Sequence, residues 1–101
     1  MIRHLVLFKL KPKVSRKEME GLARGLNGLK KKIKQVRGIE VEMDVGRTGN
    51  SGDLVLNLLF DNMEDVKVYS DHPAHVEILK LVDKLCDSRM KIDYHTKWVG
   101  I

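Results

Sequence analysis

The sequence predicts an α+β protein with a ferredoxin-like arrangement, in which the elements run β-α-β-β-α-β and an antiparallel four-stranded sheet carries both helices on one face. Two observations support this fold class. Four stretches have strand-like composition or strict two-residue alternation, and the stretches between them carry apolar residues at spacings of three and four behind helix-capping residues. A third observation is that two strands are apolar on both faces, which extends the prediction to a dimeric α/β barrel.

The first half of the pattern begins with the strand Ile2 to Leu10, whose middle is apolar on both faces. Ser15 and Glu18 form a capping box that starts a helix, and Gly38 ends it. Its apolar stripe consists of Met19, Leu22, Leu26, Leu29, Ile33 and Val36. These spacings predict one continuous helix packed against the sheet.

Two further strands follow the helix. Ile39 to Gly46 alternates strictly between apolar and acidic residues, which indicates an edge strand with one wet face. The segment 47–52 is predicted to be a flexible loop. The strand Asp53 to Asp61 is the most apolar, with leucine and phenylalanine on one side and Val55, Asn57 and Leu59 on the other.

The last part of the chain holds the second helical region and the final strand. Asn62 is expected to cap a short helix that carries Tyr69, and Asp71 to cap a longer one with Pro73 in its first turn. The apolar stripe of the longer helix is Val76, Leu79, Val82 and Leu85. Met90 to Val99 is predicted to close the chain as a strand.

This topology leaves one face of the sheet uncovered. The first and third strands are central in a ferredoxin-like sheet, and both are apolar on the face that the helices do not cover. Such a patch in water is best explained by a second copy of the chain packed against it. The sequence therefore predicts a homodimer.

Length and composition limit the class of protein. A chain of 101 residues predicts a single domain over residues 1–101. The net charge is +5, and the basic residues cluster at 30–37. This cluster contains no aromatic residue and no nucleic-acid-binding motif, so we interpret it as a solvated helix face and expect no nucleic-acid partner.

The setting of the protein is predicted from what the sequence lacks. We expect no secretory leader and no membrane association, because no apolar run approaches about 18 residues. The single cysteine, Cys86, cannot form an internal disulfide or a CxxC metal site, and we interpret it as a small buried helix residue. These features favour a cytoplasmic location.

Four segments together resemble a known family. They are His4–Lys9 (HLVLFK), Asp53–Leu56 (DLVL), Tyr69–His75 (YSDHPAH) and Asp93–Tyr94. They are similar to the stress-responsive dimeric A/B-barrel (Dabb) domain family, and the similarity extends over essentially the whole chain. The resemblance implies a ferredoxin-like protomer whose sheet pairs with that of a second copy.

The same resemblance points to site residues. The family includes plant stress proteins, bacterial proteins of unassigned role and a plant polyketide cyclase, in which a tyrosine and a histidine six positions later work together. Tyr69 and His75 stand at those positions, and His4 matches a further histidine of the pocket. Chemically, His75 could take a proton from a carbon acid while the Tyr69 hydroxyl stabilises the enolate. The alternative is that both side chains only tie the helix start to the sheet.

The remaining candidate site residues also have plausible structural roles. His4 shares its strand face with Val6 and Phe8, and these three are the predicted substrate-binding residues; a buried, hydrogen-bonded histidine is the alternative for His4. The His72-x-x-His75 spacing could hold a metal only with a third ligand such as Asp71 or His4, and His72 precedes Pro73 and is expected outside the regular helix, so we expect no metal. An aldol or Claisen closure by His75 and Tyr69 requires no cofactor, so none is expected. Tyr94 and Trp98 are interpreted as core or dimer-interface packing, and His95 as exposed.

Four functions stay open at this point. The first is a homodimer that binds a small, largely apolar or phenolic ligand between sheet and helices, with catalysis unproven. The second is a cofactor-independent cyclase or lyase on a β-keto or phenolic substrate, with His75 as base and Tyr69 as hydrogen-bond donor. The third is a non-enzymatic stress or interaction protein. A cofactor-free monooxygenase rests on analogy with other dimeric ferredoxin-like barrels.

Overall fold

A computed structural model describes residues 1–100 of the chain. Its elements, in order, are β1 (Ile2–Leu10), α1 (Arg16–Asn27), α2 (Leu29–Lys32), β2 (Gly38–Met43), β3 (Leu54–Phe60), α3 (Met63–Asp71), α4 (Pro73–Leu85) and β4 (Cys86–His95). The predicted ferredoxin-like order is confirmed, and each of the two helical regions is divided into two segments.

The four strands form one antiparallel sheet in the order β2-β3-β1-β4. β1 therefore lies between β3 and β4, and β2 and β4 are the two edges. In β1, Ile2 lies opposite Phe60 on one side and His95 on the other. This register fixes which side chains share a face, because neighbours directly opposite each other point the same way.

The two faces of the sheet differ in what covers them. The helix-covered face carries His4, Val6 and Phe8 of β1, and its core residues on β3 are Leu54, Leu56, Leu58 and Phe60, all of them buried. The opposite face, here called the open face, carries Leu5, Leu7, Val55, Met90, Ile92 and Tyr94, and none of the helices formed by residues 1–100 packs over it. The expected asymmetry of the sheet is present.

The first helix begins as predicted and ends earlier than predicted. The Ser15 side chain accepts a hydrogen bond from the Glu18 N–H, and the Glu18 side chain accepts one from the Ser15 N–H, which completes the capping box. The helix then stops at Gly28, and a single turn, α2, follows before Ile33 adopts an extended conformation. Glycine weakens a helix, so the chain bends there. Ile33 and Val36 are nevertheless buried, as the apolar spacing requires.

Gly25 lets α1 and α4 come close together. A Cβ atom at this position would lie 2.7 Å from Cδ1 of Ile78, nearer than carbon atoms can approach without movement. Gly21, one turn earlier, has no such neighbour, since a Cβ atom there would meet only the Arg24 guanidinium at 3.7 Å. The close contact between α1 and α4 is therefore limited to Gly25 and Ile78.

The last strand is displaced from its predicted position. β4 starts at Cys86, directly after α4, and ends at His95, so the expected strand from Met90 to Val99 is wrong at both ends. Cys86 is buried as expected, but it is the first residue of a strand and not part of a helix. No glycine or proline marks the change from helix to strand, which explains why the sequence pattern missed it.

The aromatic residues of the C-terminal segment are not part of the protomer core. Tyr94 and Trp98 remain exposed, so their interpretation as core residues is wrong for the single chain. The Trp98 carbonyl accepts a hydrogen bond of 2.5 Å from the buried guanidinium of Arg3. Over residues 1–100, no helix has the length and apolar character needed to cross a membrane.

Candidate functional site

A pocket of about 360 Å³ lies between the helix-covered face of the sheet and the helices α3 and α4. Its apolar wall is formed by Val6, Phe8, Leu26, Leu56, Ile78, Leu79 and Val82. Its polar lining consists of His4, Tyr69, Ser70, His75, Arg89 and Lys91. A volume of this size is at the lower end of the range for small-molecule sites.

All five predicted site residues line this pocket. The two-residue period of β1 brings His4, Val6 and Phe8 to the helix-covered face. Tyr69 lies near the end of α3, and His75 lies in the first turn of α4, so the short connection between these helices holds the two rings together. Their ring centroids are 4.4 Å apart.

The start of α4 is fixed by His72 and not by Asp71, which corrects the predicted cap. Pro73 occupies the first helical position and forces the residue before it into an extended conformation, so His72 must be the N-cap. Nδ1 of His72 accepts a hydrogen bond of 3.0 Å from the N–H of Ala74. Asp71 is the last residue of α3 and forms an exposed ion pair of 2.7 Å with Lys67.

Tyr69 presents a free hydroxyl to the pocket. The residue is only 1% exposed, and within residues 1–100 its hydroxyl has no hydrogen-bond partner. Burial raises the pKa of Tyr69 far above its ordinary value, so the phenol stays protonated at neutral pH. It can therefore act as a hydrogen-bond donor to an oxygen atom of a ligand.

His75 has one ring nitrogen engaged and one available. Nδ1 lies 2.9 Å from the carbonyl oxygen of Ser70, which can only accept, so Nδ1 carries the hydrogen. Nε2 of the neutral ring then has a free lone pair. Burial lowers the pKa of His75 below its ordinary value, and the hydrogen bond to Ser70 opposes part of this shift. The neutral, proton-accepting form therefore dominates at pH 7.

His4 is both buried and paired. Its Nδ1 lies 2.5 Å from Oδ1 of Asp93, and Lys91 Nζ lies 3.3 Å from the other oxygen of the same carboxylate. The hydrogen-bonded histidine that the sequence left as an alternative is therefore present, and it also lines the pocket. The His4 ring lies 5.8 Å from the Tyr69 ring, so His4, Tyr69 and His75 form a continuous series of aromatic contacts.

Three residues of β4 contribute to the site without having been predicted. Asp93 positions His4, and Arg89 and Lys91 line the pocket directly. The register places Asp93 opposite His4, Lys91 opposite Val6 and Arg89 opposite Phe8. The alternation of this strand was visible in the sequence, and combining it with the strand order would have placed these residues on the helix-covered face.

The residues available for a metal ion are dispersed. Within residues 1–100, no three histidine, cysteine or acidic side chains are arranged to hold one. Nδ1 of His72 and Nδ1 of His75 are each engaged with the backbone, at Ala74 and Ser70. The His72-x-x-His75 spacing thus serves to build the start of α4.

The fold and the site together define a small α+β protein with a ferredoxin-like sheet and a mostly apolar pocket on its helix-covered face. The chain belongs to the stress-responsive A/B-barrel domain (Dabb) family, which it matches over residues 2–96. This agrees with the resemblance carried by the segments that contain His4, Tyr69 and His75.

Relatives of known sequence or structure support this assignment. An uncharacterised protein of Streptomyces coelicolor is 38% identical over 80 residues, which are 74% of this chain and 79% of that protein. A dimeric ferredoxin-like protein of unknown function from Bacteroides fragilis is 34% identical, with a TM-score of 0.83 and 94% of this chain and 95% of that chain covered.

The same fold also occurs in an enzyme. The hydroxynitrile lyase of Passiflora edulis superimposes with a TM-score of 0.85 over 98% of this chain and 96% of that chain. The two sequences are only 15% identical, so this similarity concerns the fold alone.

Proposed function

We propose that this protein binds a small, largely apolar molecule in the pocket between the sheet and α4. The observation that carries the proposal is the pocket itself, about 360 Å³ bounded mainly by aliphatic side chains, with Tyr69 and His75 among its polar lining residues. Protein interiors are normally close-packed, and an unfilled apolar cavity costs stability. A pocket with convergent polar groups in an apolar wall is the usual form of a ligand site.

Ligand binding should be visible as thermal stabilisation. A ligand at about 100 times its dissociation constant contributes about 2.7 kcal/mol to the folded state. For a chain of this length, that contribution corresponds to a rise in Tm of roughly 10–20 °C. The screen would use phenolic, β-keto and medium-chain aliphatic compounds.

A matched pair of variants locates the binding. Leu79→Trp places a larger ring at the pocket lining and should abolish the rise in Tm. Val76→Trp makes a similar change on the exposed face of the same helix, away from the pocket, and should retain it. A hit that survives in Leu79→Trp would place binding elsewhere. A broad library without any hit would favour the non-enzymatic interaction protein.

The second candidate function is a cofactor-independent proton-transfer reaction in the same pocket, such as the closure or cleavage of a β-keto or phenolic compound. It is favoured by the neutral His75, whose free Nε2 can remove a proton from carbon, beside the protonated Tyr69. The carbon–hydrogen bond breaks, the proton passes to Nε2, and the electron pair moves onto the carbonyl oxygen as an enolate. The Tyr69 hydroxyl donates a hydrogen bond to that oxygen, and His75 returns the proton after the carbon–carbon step.

The proton transfer can be measured without knowing the natural substrate. Solvent deuterium exchange at the α-carbon of a bound β-keto ester, followed by NMR, should fall about 10²–10⁴-fold in His75→Gln. His95→Gln is the control, because His95 is exposed and lies outside the pocket lining. Exchange at the wild-type rate in His75→Gln, with ligand still bound, would exclude His75 as the base.

We also infer that two copies of the chain pair through their open faces. Leu7, Met90, Ile92 and Tyr94 form an exposed apolar surface there, and soluble monomers rarely expose a large continuous patch of this kind. The structure from Bacteroides fragilis is described as dimeric, and its chain is 34% identical to this one. A two-fold arrangement would let each open face cover the other.

A further inference from the structure

The charged side chains that line the pocket are all cationic. Arg89 and Lys91 line it, and no acidic residue does. Both lie on β4 at alternate positions, opposite Phe8 and Val6 of β1, and so both point to the helix-covered face. The pocket therefore has an apolar wall with two positive charges along one side.

These charges stand at the entrance and not in the interior. The facing residues of β1 and β3, such as Phe8 and Leu56, are buried, whereas Arg89 and Lys91 are exposed. A buried and unpaired charge would be costly, so the exposure of β4 is what allows cations on this face of the sheet. The strand that forms the edge of the sheet also forms the mouth of the pocket.

The existing partners of the two cations leave them available. Nη1 of Arg89 lies 2.9 Å from Oδ1 of Asp83, but Asp83 is itself exposed and does not line the pocket. Lys91 Nζ lies 3.3 Å from an oxygen of Asp93, whose other oxygen is already bonded to His4. The Arg89–Asp83 pair is exposed on both sides and therefore weak, whereas the Asp93 side chain is only 14% exposed. A guanidinium and an ammonium group each have further N–H groups to donate to a ligand.

We propose that the ligand of this pocket is an amphipathic carboxylate, with its apolar body against the aliphatic wall and its carboxylate at the mouth, held by Arg89 and Lys91. This inference rests on the proposed ligand-binding function and names the chemical class of the ligand. The planar guanidinium of Arg89 matches the geometry of a carboxylate, and Lys91 adds a second charge on the same side. The small volume limits the body to a single ring or a short chain.

A matched pair of probes isolates the charge. 4-Butylbenzoate and 4-butylbenzamide have nearly the same shape, and only the first is an anion at pH 7. Isothermal titration calorimetry should show that the wild-type protein binds the benzoate at least about tenfold more tightly than the benzamide, because charge-assisted hydrogen bonds exceed neutral ones. Raising the salt concentration should reduce this preference.

Two double variants connect the preference to its residues. Arg89→Gln with Lys91→Gln should bring the affinity for the benzoate down to that for the benzamide. Lys84→Gln with Lys97→Gln removes the same net charge from exposed positions outside the pocket and should keep the preference. All four positions are exposed, so the variants should fold, which thermal unfolding checks.

Each outcome separates this inference from the function on which it rests. Equal affinity of the wild type for the two probes, lost for both in Leu79→Trp, would overturn the carboxylate inference and leave the pocket as a ligand site. A preference that survives in the Arg89 and Lys91 double variant would overturn the role of these residues. Binding of neither probe, or binding unaffected by Leu79→Trp, would count against the ligand site as well.

Discussion

The two faces of the sheet are both apolar, but the protomer completes only one of them. On the helix-covered face, Leu58 and Phe60 are fully shielded from solvent by the helices. On the open face, Leu7 is 47% exposed and Ile92 is 57% exposed, although both point out of the same sheet. Similar residues thus meet different surroundings on either side of a single layer of backbone.

This difference assigns separate tasks to the two faces. The covered face closes around a core and borders the pocket lined by His4, Tyr69, His75 and the two cations. The open face also borders a surface pocket, lined among others by Leu7, Lys9, Ser88 and Met90, but its exposed apolar side chains suit a contact with a second copy. Ligand chemistry and assembly can therefore be tested independently.

The largest expected effect comes from the same substitution made on each face. Leu58→Ala should lower the free energy of unfolding by about 2–5 kcal/mol, because it leaves a cavity in a filled core. Leu7→Ala should cost less at concentrations at which the chain is monomeric, since its side chain is half exposed in the protomer. Urea unfolding measures both. Equal losses would mean that the open face is as fully packed in the folded protein as the covered one.

A charge on the open face should break the contact between copies. Ile92→Asp would bury an unpaired carboxylate in the proposed interface, and the dimer should dissociate at least about 100-fold more readily. Val68→Asp, on the exposed surface of α3, is the control and should leave assembly unchanged. Light scattering over a concentration series measures the mass. A monomeric wild type at micromolar concentration would refute the dimer.

On the covered face, a single methyl group should alter the depth of the pocket. Gly25→Ala would push Ile78 toward the cavity, and a ligand that fills the pocket should bind roughly tenfold more weakly. Gly21→Ala has the same helix-strengthening effect without the clash and should keep the wild-type affinity. Indistinguishable affinities in the two variants would show that Ile78 adjusts elsewhere.

The smallest effect concerns pH. The folded protein favours neutral His75, whose pKa lies below the ordinary value of 6.5, so its contribution to stability is complete above pH 6.5. It is lost as the pH falls through the lower pKa of the folded state. Unfolding measured from pH 8 to pH 4.5 should therefore show a steeper decline for wild type than for His75→Gln. His95→Gln should keep the wild-type slope; parallel curves for wild type and His75→Gln would contradict this role of burial.

Many of the residues on the helix-covered face could be predicted from local sequence pattern. The parity of β1 placed His4, Val6 and Phe8 together, and the resemblance to the A/B-barrel family paired Tyr69 with His75. These features depend on neighbours a few residues apart, where periodicity is reliable. The early end of α1 was not predictable in this way, because Ile33 keeps the apolar spacing of a helix while its backbone is extended.

The mouth of the pocket depended on information that a local pattern does not contain. Lys91 and Asp93 lay in the predicted strand from Met90 to Val99, but Arg89 lay before its start, and none of the three was predicted to line a pocket. Whether a strand face meets water or a pocket depends on how far α4 extends over β4, and this is set by packing between distant elements. The predicted N-cap of α4 was Asp71, because aspartate is a common capping residue. The cap is His72 instead, because Pro73 occupies the first helical position.

The double-sided character of β1 has a consequence for how the chain reaches its structure. The pairing register of a strand is usually fixed because a shift by one residue would move its apolar side chains from the core to the solvent face. In a strand that is apolar on both faces, such a shift costs less, so the hydrophobic pattern specifies the register only weakly. Here the contacts from Asp93 to His4 and from Asp53 to the N–H of Leu10, at 2.5 and 2.7 Å, can form in only one alignment. These polar contacts therefore act as selectors between alternative strand pairings, and their main contribution is to the accuracy of folding.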